Sequence, residues 1–108
     1  YLTGKYRNKK IPKNSRLDLF YKNYPRYHNE RTYKAVDEYF NIAQKYKISL
    51  AQLSQAFVNS RDFVTSNIIG ATTMKQLKEN IESINISLNK EIIAEINLIH
   101  ESIPNPAP

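Results

Sequence analysis

One run constrains the fold more than any other: Val64-Thr65-Ser66-Asn67-Ile68-Ile69, closed at once by Gly70. Short, β-branched and ended by a glycine, it predicts a β-strand. No other stretch of the 108 residues reads convincingly as a second strand. A lone strand carries unpaired N–H and C=O groups on both edges, and burying each without a partner costs roughly 1–3 kcal/mol. The adjacent Ile68 and Ile69 also fit a parallel strand covered on both faces. Such a strand needs neighbours that this chain does not supply, so the sequence predicts a piece of a larger α/β architecture.

Beyond Gly70 the period changes. Met74, Leu77, Ile81 and Ile84 recur at steps of three and four, the spacing of a helix. Thr73 stands three residues before Gln76, so the two can form a capping box at the helix start. The unit is strand, tight turn, helix, with Gly70 where the backbone turns or admits a close approach. Free N–H groups at the start of that helix favour an anion, typically a phosphate. On geometry alone, a turn that only caps a helix is an equal alternative.

The wording of the turn narrows the choice. Gly70-Ala71-Thr72-Thr73-Met74-Lys75-Gln76-Leu77-Lys78-Glu79-Asn80 resembles the last cofactor-binding motif of the aldo/keto reductases. The branch it looks most like holds the bacterial Tas-like proteins and the potassium-channel β subunits. The resemblance implies that the turn follows barrel strand eight and holds the adenosine 2′-phosphate of NADPH, while the next helix contacts the adenine. Gly70, Ala71, Thr72, Thr73, Gln76, Glu79 and Asn80 would then bind the cofactor. Leu2-Thr3-Gly4-Lys5-Tyr6 is similar to the segment after barrel strand seven, whose following loop folds over the cofactor. That match implies Lys5 and Arg16 as phosphate partners, a guanidinium being suited to a bidentate grip.

The resemblance covers essentially the whole chain but only the last third of a (β/α)8 barrel. The expected fold is therefore α/β: the C-terminal portion of a TIM barrel, itself mostly helical, with four helices and one clear strand. Its segments are a basic cofactor-covering loop (1–28), two helices (29–60), strand eight with the phosphate-binding turn and its helix (64–84), a C-terminal helix (89–103) and a proline-rich tail (104–108). The family's catalytic Asp, Tyr, Lys and His lie on earlier strands that no part of this sequence matches, and neither His28 nor His100 sits in the right context. No residue here is assigned a catalytic role. The expected function is NADP(H) binding within a carbonyl reductase whose remaining barrel is the partner, and inactivity alone.

Composition bounds the alternatives. Without cysteine there is no disulfide framework or thiolate metal site, and two isolated histidines predict no metal cluster. No apolar run approaches the ~20 residues of a membrane span. Nothing near Tyr1 resembles a signal peptide, so the expected setting is cytoplasmic, with no membrane partner, and the chain reads as the inside of a longer protein. The net charge of +6 is uneven: residues 1–27 hold eight bases and one acid, Asp18. A rival reading is a small basic module gripping nucleic acid or another anion through residues 1–27, where Tyr6, Tyr21, Tyr24 and Tyr27 interleave with bases. Against nucleic acid, no recognition helix carries the charge and no known motif appears.

The helices have clear signals. Residues 6–28 are expected to be loop, with one short helical turn around Leu17 to Tyr21. Asn29 caps a helix with Val36, Phe40 and Ala43 inward, flanked by Tyr33, Tyr39 and Tyr46, with Lys45 and Lys47 in its last turn. Ser49 and Gln52 form a capping box for a helix to about Ser60, burying Leu50, Leu53, Ala56 and Phe57. Asn89 caps the last helix, striped by Ile92, Ile96, Ile99 and Ile103, and Pro104, Pro106 and Pro108 end it in an exposed tail. With its strand unpartnered, the isolated chain is expected to self-associate into a homo-oligomer.

Overall fold

The computed structural model describes residues 1–108. Five α-helices run along the chain: α1 (Arg16–Phe20), α2 (Glu30–Lys45), α3 (Leu50–Asn59), α4 (Met74–Glu82) and α5 (Lys90–Ser102). Single 3-10 turns lie at Arg7–Lys9, Tyr21–Asn23, Pro25–Tyr27 and Ser83–Asn85. The four longer helices start on the caps expected of them. Asn29 Oδ1 accepts from Thr32 N at 2.9 Å, and Asn89 Oδ1 from Ile92 N at 2.9 Å. Ser49 and Gln52 bond reciprocally, and Thr73 Oγ1 accepts from Gln76 N. Each such cap is worth about 1 kcal/mol.

Helix α2 stops earlier than its basic run suggests. Lys47 adopts a left-handed φ of 57°, Ile48 N donates to Ala43 O and Lys47 N to Gln44 O. This paired pattern closes a helix end, here without the usual glycine. Helix α3 can then turn back across α2.

The core lies where α2, α3 and α5 meet. Val36, Ile42 and Ala43 pack with Leu50, Leu53, Ile92, Ile96 and Ile99, and Tyr39, Phe40, Tyr46 and Phe57 lean on them half-buried. Ile103 is buried as its spacing predicts. The proline tail is exposed at Pro104 and Pro108, and two of its carbonyls are fastened to the fold. Pro106 O accepts from Thr32 Oγ1 at 2.6 Å and from Asn29 Nδ2 at 3.2 Å, and Pro104 O accepts from Arg31 at 2.8 Å. Polar groups at the start of α2 thus fasten the C-terminus. No helix is long and apolar enough to cross a membrane.

The predicted strand is absent. Residues 64–69 have no strand assignment, and no backbone–backbone hydrogen bond involves residues 65–72. The reason is the one that made the run informative: a strand exists only through a partner, and this chain offers none. The segment is held instead by Asn67, whose Nδ2 donates to Gln55 Oε1 at 2.7 Å and Asn59 Oδ1 at 3.1 Å on α3. Phe63 and Ile68 are 86% and 95% exposed. The apolar stripe of α4 is uncovered too: Met74, Ile81 and Ile84 are exposed, and no residue of α4 is buried. The chain is a helical assembly consistent with a fragment of a larger α/β fold.

A polar clamp joins α2 to α5. Lys45 Nζ donates to Glu95 Oε1 at 2.5 Å, and Tyr46 Oη donates to the same oxygen at 2.7 Å. The hydrogen bond from Lys45, then that from Tyr46, holds the Glu95 carboxyl below its ordinary value. A lowered carboxyl stabilises the fold above the unfolded value of 4.5 and loses that contribution as pH falls through the folded value. Lys45, raised by its bond to Glu95, loses its share as pH climbs past 10.5. Denaturation midpoints followed with pH should show that Glu95→Gln lowers stability at neutral pH and removes part of the further loss below pH 4.5.

Candidate functional site

The turn from Gly70 to Thr73 is exposed and leads directly into α4. Two side chains of α4 fold back over it. Gln76 Oε1 accepts from Thr72 N at 2.9 Å and from Thr72 Oγ1 at 3.0 Å. Asn80 Nδ2 donates to Gly70 O at 3.2 Å. Residues one helical turn apart share a face, so Gln76 and Asn80 reach the same turn. The expected capping box is thereby altered. Thr73 caps Gln76 N, but the Gln76 side chain reaches past Thr73 to Thr72.

Glu79 goes elsewhere. Its Oε1 accepts from Ser49 Oγ at the start of α3, so its carboxylate ties α4 to α3 and leaves the turn to neutral groups. The N–H groups of Met74 and Lys75 make no hydrogen bond within the chain, as the first turn of a helix requires. From Phe63 to Met74 there is no charged residue, and Lys75 follows. Uncommitted donors, two hydroxyls, a nearby lysine and no carboxylate make surroundings that favour an anion. At Gly70 neither a left-handed φ nor a neighbour requires glycine, because an added Cβ would meet nothing within 4 Å. Gly4 is the glycine with a structural need, at φ +77°.

Lys5 and Arg16 gather near Tyr6. The Lys5 ammonium sits 5.2 Å from the centre of the Tyr6 ring. Arg16 opens α1 and lines a cleft of about 420 Å³ together with Tyr1, Tyr6, Tyr24 and Tyr27. No hydrogen bond or ion pair joins either base to the 70–73 turn. The basic loop rests on α2 instead. Arg7 Nε donates to Asp37 Oδ1 at 2.6 Å while its guanidinium lies 3.4 Å from the centre of the Phe40 ring, and Lys9 pairs with Glu30 at 2.7 Å. The structure thus brings Gly70, Thr72, Thr73, Gln76 and Asn80 together and leaves Lys5 and Arg16 as a separate pair around Tyr6.

Sequence reading missed three anchoring residues. Asn67 has no apolar role to play in a β-branched run, which is the one signal for it. Arg7 carries no signal beyond being one base among eight. Tyr1 donates to or accepts from His28 Nδ1 at 2.8 Å, and Tyr21 stacks on the same imidazole at 4.2 Å. Burial, then the neighbouring Tyr33, pushes the Tyr1 phenol well up from its ordinary range.

Residues 1–101 match the family model of the aldo/keto reductase family. The chain belongs to the aldo/keto reductase family. It is 45% identical over 107 residues to Protein tas of Escherichia coli K12, covering 99% of this chain and 31% of that protein. An aldo-keto reductase of Babesia bovis is 36% identical over 103 residues, 92% of this chain and 36% of that protein. A probable voltage-gated potassium channel subunit beta of Oryza sativa subsp. japonica is 35% identical over 109 residues, 95% of this chain and 33% of that protein. The chain therefore spans about a third of the length of these relatives, and as a family member it is a partial one.

Proposed function

We propose that this chain is the NADP(H)-binding C-terminal part of an aldo/keto reductase. The observation that carries the reading is the Gly70–Thr73 turn, where a helix N-terminus, two hydroxyls and two inward-folded amides meet without a carboxylate. On this reading Thr72, Thr73 and the backbone from Gly70 through Ala71 take the 2′-phosphate, and Gln76 and Asn80 face the adenine. Glu79 acts through its hold on Ser49 as much as through the nucleotide. Lys5 and Arg16 belong to a loop, residues 1–28, that closes over the cofactor once the barrel strands hold it beside the turn. Residues 64–69 become strand eight only when paired with that barrel, which is the chain's principal partner. The cofactor supplies a hydride to a carbonyl carbon, and the groups that handle the proton lie outside these residues. The chain alone is expected to reduce no carbonyl, and a cytoplasmic setting accords with its nucleotide.

The test belongs in the full-length protein. Thr72→Ala combined with Arg16→Ala should weaken NADPH binding by about 10- to 100-fold and NADH binding much less, since only NADPH carries the extra phosphate. Quenching or enhancement of nicotinamide fluorescence during titration reads both affinities. Equal losses for the two nucleotides would remove the assignment.

A further inference from the structure

The basic loop is built around one buried phenol. Tyr6 is 5% exposed, and its ring packs on that of Tyr1 with centroids 5.2 Å apart. Its Oη accepts from Leu17 N at 3.2 Å, eleven positions on. Leu17 N is a first-turn donor of α1, which no carbonyl of the helix can reach. The phenol thus caps α1 from outside, beside the local cap that Ser15 Oγ gives to Asp18 N. Helices shorter than ~12 residues are marginal alone, and α1 has five. Leu17 is buried, while its neighbour Arg16 is exposed and in no ion pair. Tyr6 is held in turn through the next residue. Arg7 donates to Asp37 and lies over the Phe40 ring, which fixes this stretch on α2. Each of these links joins two residues of this chain.

We infer that Tyr6 is a positioning residue of the cofactor site: its hydroxyl holds the start of α1, and through it Arg16, in place for a phosphate. The inference rests on the nucleotide reading and assigns Tyr6 no contact with the nucleotide. A guanidinium at the end of a long arm grips a phosphate well when its backbone is already ordered. If the loop has to be ordered on binding, that entropy is subtracted from the affinity. The chain from Asp37 and Phe40 through Arg7 and Tyr6 to Leu17 supplies that order before any phosphate arrives.

A double-mutant cycle in the full-length protein, read as NADPH dissociation constants, tests this. Tyr6→Phe removes one oxygen, keeps the buried ring and leaves Leu17 N without its acceptor. It should weaken NADPH binding by about fivefold. In an Arg16→Ala background the same substitution should cost less than about twofold, because the residue it positions is gone. A merely structural role would cost the same in both backgrounds, since changes at independent sites add. Asp37→Asn loosens Arg7 and leaves the phenol intact, so it should show the same dependence on Arg16 at about twofold to threefold. It also serves should Tyr6→Phe disturb folding. Equal losses in the two backgrounds would overturn the inference. So would unchanged affinity in Tyr6→Phe and Asp37→Asn beside a clear loss in Arg16→Ala. In that case the nucleotide reading stands and only the role of Tyr6 falls. Arg16→Ala without any effect on NADPH would remove both.

Discussion

Gln76→Glu should nearly abolish NADPH binding to the full-length protein while leaving α4 at least as stable as before. The side chain already lies over the turn, its Oε1 within 3.0 Å of both Thr72 donors. Glutamate is the same size and accepts the same two hydrogen bonds. In the folded protein the substitution therefore changes charge and little else. It also places that charge in the first turn of a helix, where an acid is favourable by about 0.3–1 kcal/mol. A phosphate sharing the turn would face a carboxylate a few ångströms away. Two unit charges 4 Å apart near a protein surface repel by up to about 4 kcal/mol, and solvent at this open turn reduces that. A loss of about 30- to 1,000-fold in affinity is the expected range.

Gln76→Ala serves as the contrast. It removes the amide without adding charge, frees both Thr72 donors, and should weaken NADPH by a few-fold at most. Thermal unfolding of the two variants separates folding from binding, since the glutamate variant should melt at or above the parent temperature. NADPH bound as tightly by Gln76→Glu as by the parent would place the phosphate elsewhere. The assignment of Thr72 would fall with it.

How much of this was legible in the sequence varies with how local the physics is. The caps at Asn29, Ser49, Thr73 and Asn89 depend on neighbours three residues away and all four form, although the box read at Thr73 stays open because Gln76 reaches Thr72 instead. The isoleucine stripe of α5 was legible for the same reason, with Ile92, Ile96, Ile99 and Ile103 all buried. Residues 64–69 were misread as a formed strand because a strand is a relation between segments, and its propensity says nothing about the partner. The stripe of α4 failed likewise: its spacing is sound, but nothing in this chain covers Met74, Ile81 or Ile84. Within the turn, spacing brought Gln76 and Asn80 to one face, whereas the diversion of Glu79 to Ser49 depends on how α3 and α4 cross. No one-dimensional pattern encodes that crossing. The grip of Arg7 on Asp37 and Phe40, thirty and more positions away, is illegible for the same reason.

The isolated chain should associate with itself through residues 63–74, and a single charge should prevent it. This segment lies open, with no backbone–backbone hydrogen bond to its groups from 65 to 72 and its Ile68 almost wholly in water. Water satisfies those groups in the monomer, so the drive to pair comes mainly from the apolar side chains that pairing would cover. Phe63, Ile68, Met74, Ile81 and Ile84 are exposed in and just after the segment, a concentration that soluble monomers avoid. Charge normally guards such an edge, yet no charged residue lies between Asp62 and Lys75. The net +6 gives weak protection, because most of the excess sits in residues 1–27. Two copies related by a two-fold axis can pair antiparallel about Ser66 and Asn67, setting Thr65 against Ile68 and Val64 against Ile69. Sedimentation velocity across a dilution series should show dimers or larger species at micromolar concentration, with new strand signal in the infrared amide band. Ile68→Lys puts a charge at the centre of the pairing register and should return the chain to monomer. Its helix content should not change, because residue 68 touches none of the buried core. In the full-length protein the same substitution should cost stability instead, because there the segment would be an interior strand. A parent chain that stays monomeric throughout the series would show that Asn67, held by Gln55 and Asn59, keeps the segment folded against α3.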